Sequence, residues 1–198
     1  MAFEATIRAL IRAPLPLGRE VHVQQDQLAQ VRAAVEQALV DTRQALAHTR
    51  TPIACPTTPG CGGCCRGAVE VHPTEVARIA PLLDGATWDR VVALVGRLYR
   101  VRSDAEYEQV AITALCPLLE PTSRACTVYA ERPLVCRGYA VATPVDDCYP
   151  ERVGHRQVGT PAALYTAIGM AQLGLCGDAG PSALQPLPEA LLSWREEQ

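Results

Sequence analysis

Apolar positions recur at helical spacing through much of the chain, and they lose that period wherever cysteine and proline gather. Residues 3–12 predict a short amphipathic helix with Phe3, Ile7, Leu10 and Ile11 on one side, ended by Pro14 and Pro16. The most periodic stretch runs from about Asp26 to Arg50. There Leu28, Val31, Val35, Ala38, Leu39, Thr42 and Leu46 repeat on one face, while Gln30, Arg32, Glu36, Arg43 and Gln44 take the others. Such a helix spans about 37 Å. Its apolar face suits core packing better than partner binding, and Pro52 closes it.

Val69 and Val71 alternate with Glu70 and His72, a two-residue period that predicts a very short strand. Pro73 then stands where a first helical residue would, with Glu75 in the first turn and His72 as the cap, so a helix is expected from Pro73 to Leu83. Asp84-Gly85 breaks it. Thr87 is the expected cap of the next helix, whose stripe is Trp88, Val91, Val92, Val95, Leu98 and Tyr99, ending near Ser103. Residues 104–112 fit a helical turn and an extended run equally.

From Leu115 to Cys148 the chain holds Pro117, Pro121, Pro133 and Pro144, followed by Pro150, which excludes long helices. Thr127-Val128-Tyr129 and Leu134-Val135 read as short extended pieces. Thr160-Pro161 caps and opens a helix through Ala162, Leu164, Tyr165, Ile168, Met170, Ala171 and Leu173. Gly174 and Gly177 are expected to hold Cys176 in a turn, and a last helix covers about Pro188 to Trp194. The expectation is a mainly α fold with at most short strands. It is a single small helical domain over 1–198, with a loop-rich, cysteine-rich metal-binding lobe at 52–150 between helical segments 24–50 and 160–195.

With 198 residues, the chain is long enough for a core that needs no staples. Apolar content of 48% and charged content of 20% exclude wholesale disorder. A net charge of -3 leaves no electrostatic footprint for nucleic acid. All 18 basic residues are arginine, which reads as compositional bias. Arg8 and Arg12 interrupt the apolar patches near the N-terminus, so no secretory signal is expected there. Nor does any segment reach the roughly 18 consecutive apolar residues of a membrane span. A reducing cytoplasm is therefore the expected compartment, where clustered cysteines point to metal or redox chemistry before structural disulfides.

Four thiols stand in the eleven residues Cys55-Pro56-Thr57-Thr58-Pro59-Gly60-Cys61-Gly62-Gly63-Cys64-Cys65. The segment has no apolar side chains for a core, and its glycines and prolines oppose a stable helix. Its backbone suits wrapping around something small. The gap Cys61-Gly62-Gly63-Cys64 lets two sulfurs chelate one metal while backbone amides point toward them. An unperturbed thiol has a pKa of about 8.5, so binding displaces protons. Vicinal Cys64 and Cys65 diverge in an extended segment and suit different metals or different corners of one cluster.

Downstream, Cys116, Cys126 and Cys136 are separated by nine residues each, and Cys148 follows after eleven. Zinc ribbons bring two close pairs together, whereas iron–sulfur clusters accept thiolates arriving singly. Iron–sulfur is the first choice of cofactor on spacing and zinc the second. Arg66, Arg124, Arg132 and Arg137 stand near these sulfurs. They would neutralise an anionic cluster, or pair on the surface with Glu70, Glu120, Glu131 or Asp147.

Cys61-Gly62-Gly63-Cys64-Cys65, then Cys116-Pro117-Leu118-Leu119, then Cys126-Thr127-Val128-Tyr129-Ala130-Glu131-Arg132-Pro133-Leu134-Val135-Cys136-Arg137 resembles the YkgJ-type cysteine-cluster family of zinc or iron chelators. The resemblance covers about residues 55–150. It implies ligand roles for Cys61, Cys64, Cys65, Cys116, Cys126, Cys136 and Cys148, with Tyr129, Arg132, Pro133 and Arg137 as signature neighbours. Cys55 lies further from Cys61 than the commonest form of the pattern has it. Flagellin lysine N-methylases carry a similar cysteine region, but this short chain shows no additional cofactor-binding domain, so that activity is not carried over.

Nothing else in the sequence adds a catalytic constellation. His22, His48 and His155 stand alone, no nucleophile–base pairing follows from spacing, and Gly60-Cys61-Gly62-Gly63 lacks the lysine of a phosphate loop. Three functions fit the cysteines. One is an iron–sulfur or iron site for redox or sensing, with a protein redox partner. Another is a zinc-structured binding or adaptor module, and the third is metal chelation and delivery to a partner. Neither nucleic acid nor membrane is expected as a partner.

Overall fold

A computed structural model describes residues 20–49, 53, 62–66, 69–141, 161–176 and 183–198. The expected helix over 3–12 lies outside them. Among the described residues there are seven α-helices and one two-stranded sheet, so the fold is mainly α. None of these helices is long and apolar enough to cross a membrane. The chain divides into two compact units, one from Met1–Cys55 with Pro133–Leu184 and one from Pro56–Arg132 with Gln185–Gln198.

The first unit packs three helices, α1 (Glu20–Leu46), α5 (Leu134–Gly138) and α6 (Ala162–Cys176). Leu28, Val31 and Val35 of α1 meet Leu134, Ile168, Ala171 and Leu175 in one buried cluster. The stripe fades beyond Val35, where Ala38, Leu39, Thr42 and Leu46 are only half-buried. Arg32, assigned to a polar face, is buried, because four residues after Leu28 it falls on nearly the same side of the helix. α1 stops at Leu46, whose carbonyl accepts both the N–H of Thr49 at 3.0 Å and its hydroxyl at 2.8 Å.

Two further sequence expectations change in this unit. Leu134-Val135 opens α5 rather than an extended piece: Pro133 stands just before the helix and its carbonyl accepts the N–H of Arg137 at 3.0 Å. Cys176 is the last residue of α6 and not part of a glycine turn, since the apolar face carries the helix through Gly174 to the buried Leu175. Gly138 permits the close packing of α5. A Cβ there would lie 2.7 Å from Ile168 Cγ1 and 2.8 Å from Val35 Cγ1.

The second unit is built on β1 (Glu70–Val71), α2 (Pro73–Ile79, continued by a 3-10 turn at Ala80–Leu82), α3 (Gly85–Leu98), α4 (Asp104–Thr113), β2 (Gln185–Pro186) and α7 (Leu187–Glu196). β1 and β2 run antiparallel with Glu70 opposite Pro186 and Val71 opposite Gln185. Val71, Val76, Ile79, Val91, Val95, Leu118, Val128, Leu187 and Leu191 form the core. α2 begins as expected. The His72 ring accepts the N–H of Thr74 at 3.3 Å, and the backbone N–H of His72 donates to Glu75 Oε2 at 3.0 Å, with Pro73 at the first position.

Asp84, not Thr87, caps α3. Its carboxylate accepts the N–H of Thr87 at 2.8 Å, and Asp84-Gly85 breaks the preceding helix as expected, with Gly85 opening the next. The stripe narrows to Val91, Val95 and Leu98 with half-buried Trp88 packed beside them, while Val92 at 46% and Tyr99 at 79% exposure fall outside it. Residues 104–113 resolve as helix because the Ser103 hydroxyl accepts the N–H of Glu106 at 3.2 Å.

Candidate metal centre

The cysteine loop is described from Gly62 to Arg66. Gly62 has φ +60, which favours glycine, and its carbonyl accepts the N–H of Cys65 at 3.2 Å. A Cβ on Gly62 would stand 2.9 Å from the Arg124 carbonyl oxygen and 3.2 Å from Leu119 Cδ1. This glycine therefore lets the loop lie against the second cysteine segment.

That segment folds back on itself. Leu119 and Cys126 form an isolated antiparallel bridge, closed by Glu120 N–H to Ala125 O at 2.9 Å and Thr127 N–H to Leu118 O at 2.8 Å. The turn between them includes Arg124 in a left-handed conformation, φ 59. It is held by Glu120, whose carboxyl is held down to about 2, first by the backbone N–H of Ser123. A second bridge pairs Arg66 with Leu115, and the N–H of Cys116 donates to Cys65 O at 2.9 Å. The two cysteine segments of this unit are thereby joined through their backbones.

Around the sulfurs, two influences oppose each other. Desolvation pushes the Cys116 thiol up to about 12, with the charges of Cys126 and Cys64 acting in the same direction. Against this, the N–H groups of Leu118 and Leu119 donate toward the Cys116 sulfur. Cys126 is likewise raised by desolvation, and opposed by the N–H of Val128 and the charge of Arg132. The hydrogen bond between Cys64 and Cys65 pushes the Cys64 thiol up, desolvation adds to it, and Arg132 works the other way. Thiols that raise one another while amides and a guanidinium favour their thiolates suit a cation that would offset the mutual repulsion. The donor set is soft and fits zinc or iron.

Of the eight expected ligands, Cys64 (exposed) and Cys65, Cys116 and Cys126 (half-buried) belong to the second unit. Cys136 is half-buried in α5 of the first. Cys55, Cys61 and Cys148 lie outside the described residues. Among the described residues, no three of the His, Cys, Asp and Glu side chains are gathered as a ready-made metal shell. Cys176 is buried at the end of α6.

The signature neighbours separate. The Arg132 guanidinium lies over the Tyr129 ring, 4.0 Å from its centroid, and donates to Tyr129 O at 3.3 Å. Tyr129 opens a 3-10 turn, Tyr129–Glu131, where an extended piece was expected, because the N–H of Glu131 closes on Val128 O at 2.8 Å. Arg137 is buried and pairs with Glu36 of α1, an acid not among the four named from the sequence. Arg66 contributes its backbone to the bridge with Leu115.

Sequence reasoning missed two arginines that support this region. Arg78 of α2 forms two hydrogen bonds with Glu131, at 2.9 and 3.2 Å, and so steadies the turn leading to Arg132. Arg90 of α3 reaches the carbonyl of Pro117, next to Cys116. Neither lies near its partner in sequence, and no local pattern announces them.

Residues 54–154 match the CxxCxxCC family, described as "Putative zinc- or iron-chelating domain". The match covers about half of the 198 residues, and the chain belongs to this family. No curated protein and no solved structure matches the chain.

Proposed function

We propose that this protein uses the thiolates of Cys64, Cys65, Cys116 and Cys126 to hold an iron–sulfur or iron site that serves redox chemistry or sensing in the cytoplasm. The observation that carries the reading is the bond from the Cys116 N–H to Cys65 O, which pins a vicinal thiol pair to a third cysteine in a family of metal chelators. A bound iron–sulfur cluster would supply one-electron chemistry. The chain's own residues do the rest. Leu118, Leu119 and Val128 direct N–H groups at sulfur, and Arg132, stacked on Tyr129, offsets negative charge near Cys64 and Cys126. The resemblance implies Cys61, Cys136 and Cys148 as ligands with Arg137 as a signature neighbour, while Cys55 and Arg66 are proposed from the sequence alone.

Metal analysis and a visible spectrum of protein purified without oxygen test this. Iron with acid-labile sulfide and a charge-transfer band are expected. Colourless protein with firmly held zinc would replace the redox reading with a structural zinc module. Zinc or iron lost at once to a mild chelator would make the protein a carrier that delivers metal to a partner.

A further inference from the structure

Cys116 opens a turn in which the N–H of Leu119 closes on the Cys116 carbonyl at 3.0 Å, with Pro117, Leu118 and Leu119 all buried. The Pro117 carbonyl accepts Nε–H of Arg90 at 2.9 Å. Nη2 of the same guanidinium donates to Thr87 Oγ1 at 2.8 Å, and Thr87 is buried in the first turn of α3 with its N–H on the Asp84 carboxylate. Arg90 is thus anchored to α3 on one side and grips the cysteine turn on the other.

The gripped oxygen shares a peptide plane with the Leu118 N–H, the group that donates toward the Cys116 sulfur. The peptide is trans, so its C=O and N–H point in opposite directions. Fixing the oxygen therefore fixes the direction of the N–H. Donation into the carbonyl also polarises the amide and strengthens its N–H as a donor.

We infer that Arg90 is a positioning residue for the metal centre, aiming the Leu118 N–H at the Cys116 sulfur through the Pro117–Leu118 peptide. The inference rests on the reading of Cys116 as a ligand, and it extends the working parts of the centre to α3. Arg90 itself touches no sulfur in this arrangement. It acts through one amide, much as an outer carboxylate orients a metal-bound histidine.

The test compares Arg90→Met, which keeps bulk but has no donor, with Arg90→Lys, which keeps one donor for Pro117. Hydrogen exchange of the Leu118 amide is followed in the full chain with and without zinc, and zinc affinity is measured by chelator competition. Arg90→Met should exchange at Leu118 at least about ten-fold faster and bind zinc about 10- to 100-fold more weakly, while the Val91 and Val95 amides of α3 keep their protection. Arg90→Lys should recover most of both. A Leu118 amide as unprotected in the wild type as in Arg90→Met overturns the inference, as does Arg90→Lys exchanging as fast as Arg90→Met. Because exchange is also read without metal, a wild type that takes up no zinc or iron sinks the metal reading while the Leu118 amide still decides the role of Arg90.

Discussion

The backbone N–H of Cys116 donates to the carbonyl oxygen of Cys65 at 2.9 Å, across fifty-one positions of sequence. A backbone bond of this kind places two sulfur-bearing residues side by side without constraining either side chain. Cys65 and Cys116 can therefore be substituted without removing the bond, which makes thiol chemistry separable from folding.

Cys64→Ser and Cys65→Ser should each lower metal per chain sharply, because each thiol of a polynuclear site holds its own corner. Cys176→Ser should leave metal content unchanged, although a hydroxyl in its buried position lowers stability by about 1–3 kcal/mol. Metal per chain of the anaerobically purified variants decides. Full metal content in Cys65→Ser would favour a single tetrahedral zinc, for which one member of the pair is a bystander.

Gly62→Ala should destabilise the second unit by about 1–3 kcal/mol, since the new Cβ meets the Arg124 carbonyl at 2.9 Å on a left-handed backbone. Denaturant unfolding reads the loss, and metal affinity should fall with it. A wild-type midpoint would show that the loop does not need this conformation.

Gly138→Ala should cost about 1–3 kcal/mol by overpacking, with Ile168 and Val35 both closer than 3 Å to the added carbon. Val35→Ala in the same chain should recover part of the loss by vacating one wall. A double variant whose loss equals the sum of the two single losses would argue against direct contact.

Desolvation lowers the pKa of His72 from 6.5, and its ring caps α2 as an acceptor, so the folded state holds it neutral. The unfolded chain takes up a proton at higher pH than the folded one. Stability from this group is therefore complete above the unfolded pKa of about 6.5 and declines as pH falls below it. His72→Asn, a good cap that does not titrate, should match the wild type at neutral pH and flatten this slope. Thermal unfolding across that range measures it, and an unchanged slope would show that another group titrates there.

Most of the helices could be read from sequence because their apolar residues return every third or fourth position, as Leu28, Val31 and Val35 do. α4 carries Ser103 and Glu106 at capping spacing, yet Asp104–Thr113 shows no clear apolar stripe, so the pattern left it open. The pairing of Glu70 with Pro186 was not legible, because two-residue strands carry no periodicity and their partner lies over a hundred residues away. Among the cysteines, residue type and spacing announced the chemistry, and Gly62 announced the loop. Arg90 on Pro117 depends on a helix meeting a turn, which no spacing encodes. Nor does the signature from Tyr129 to Arg137 disclose that the two units divide between Arg132 and Pro133.

The second unit is assembled from two stretches of chain, with Gln185–Gln198 supplying β2 and α7 to a body formed by Pro56–Arg132. A ribosome delivers Cys64, Cys65, Cys116 and Cys126 well before it delivers Leu187 and Leu191, which complete the core against Val71 and Ile79. During synthesis the thiols are therefore present while the apolar scaffold that orders them is still missing one wall. On the proposed ligand set, metal settling on the nascent cysteines would do so ahead of their final arrangement, and the emergence of residues 185–198 would be the step at which this unit closes around it.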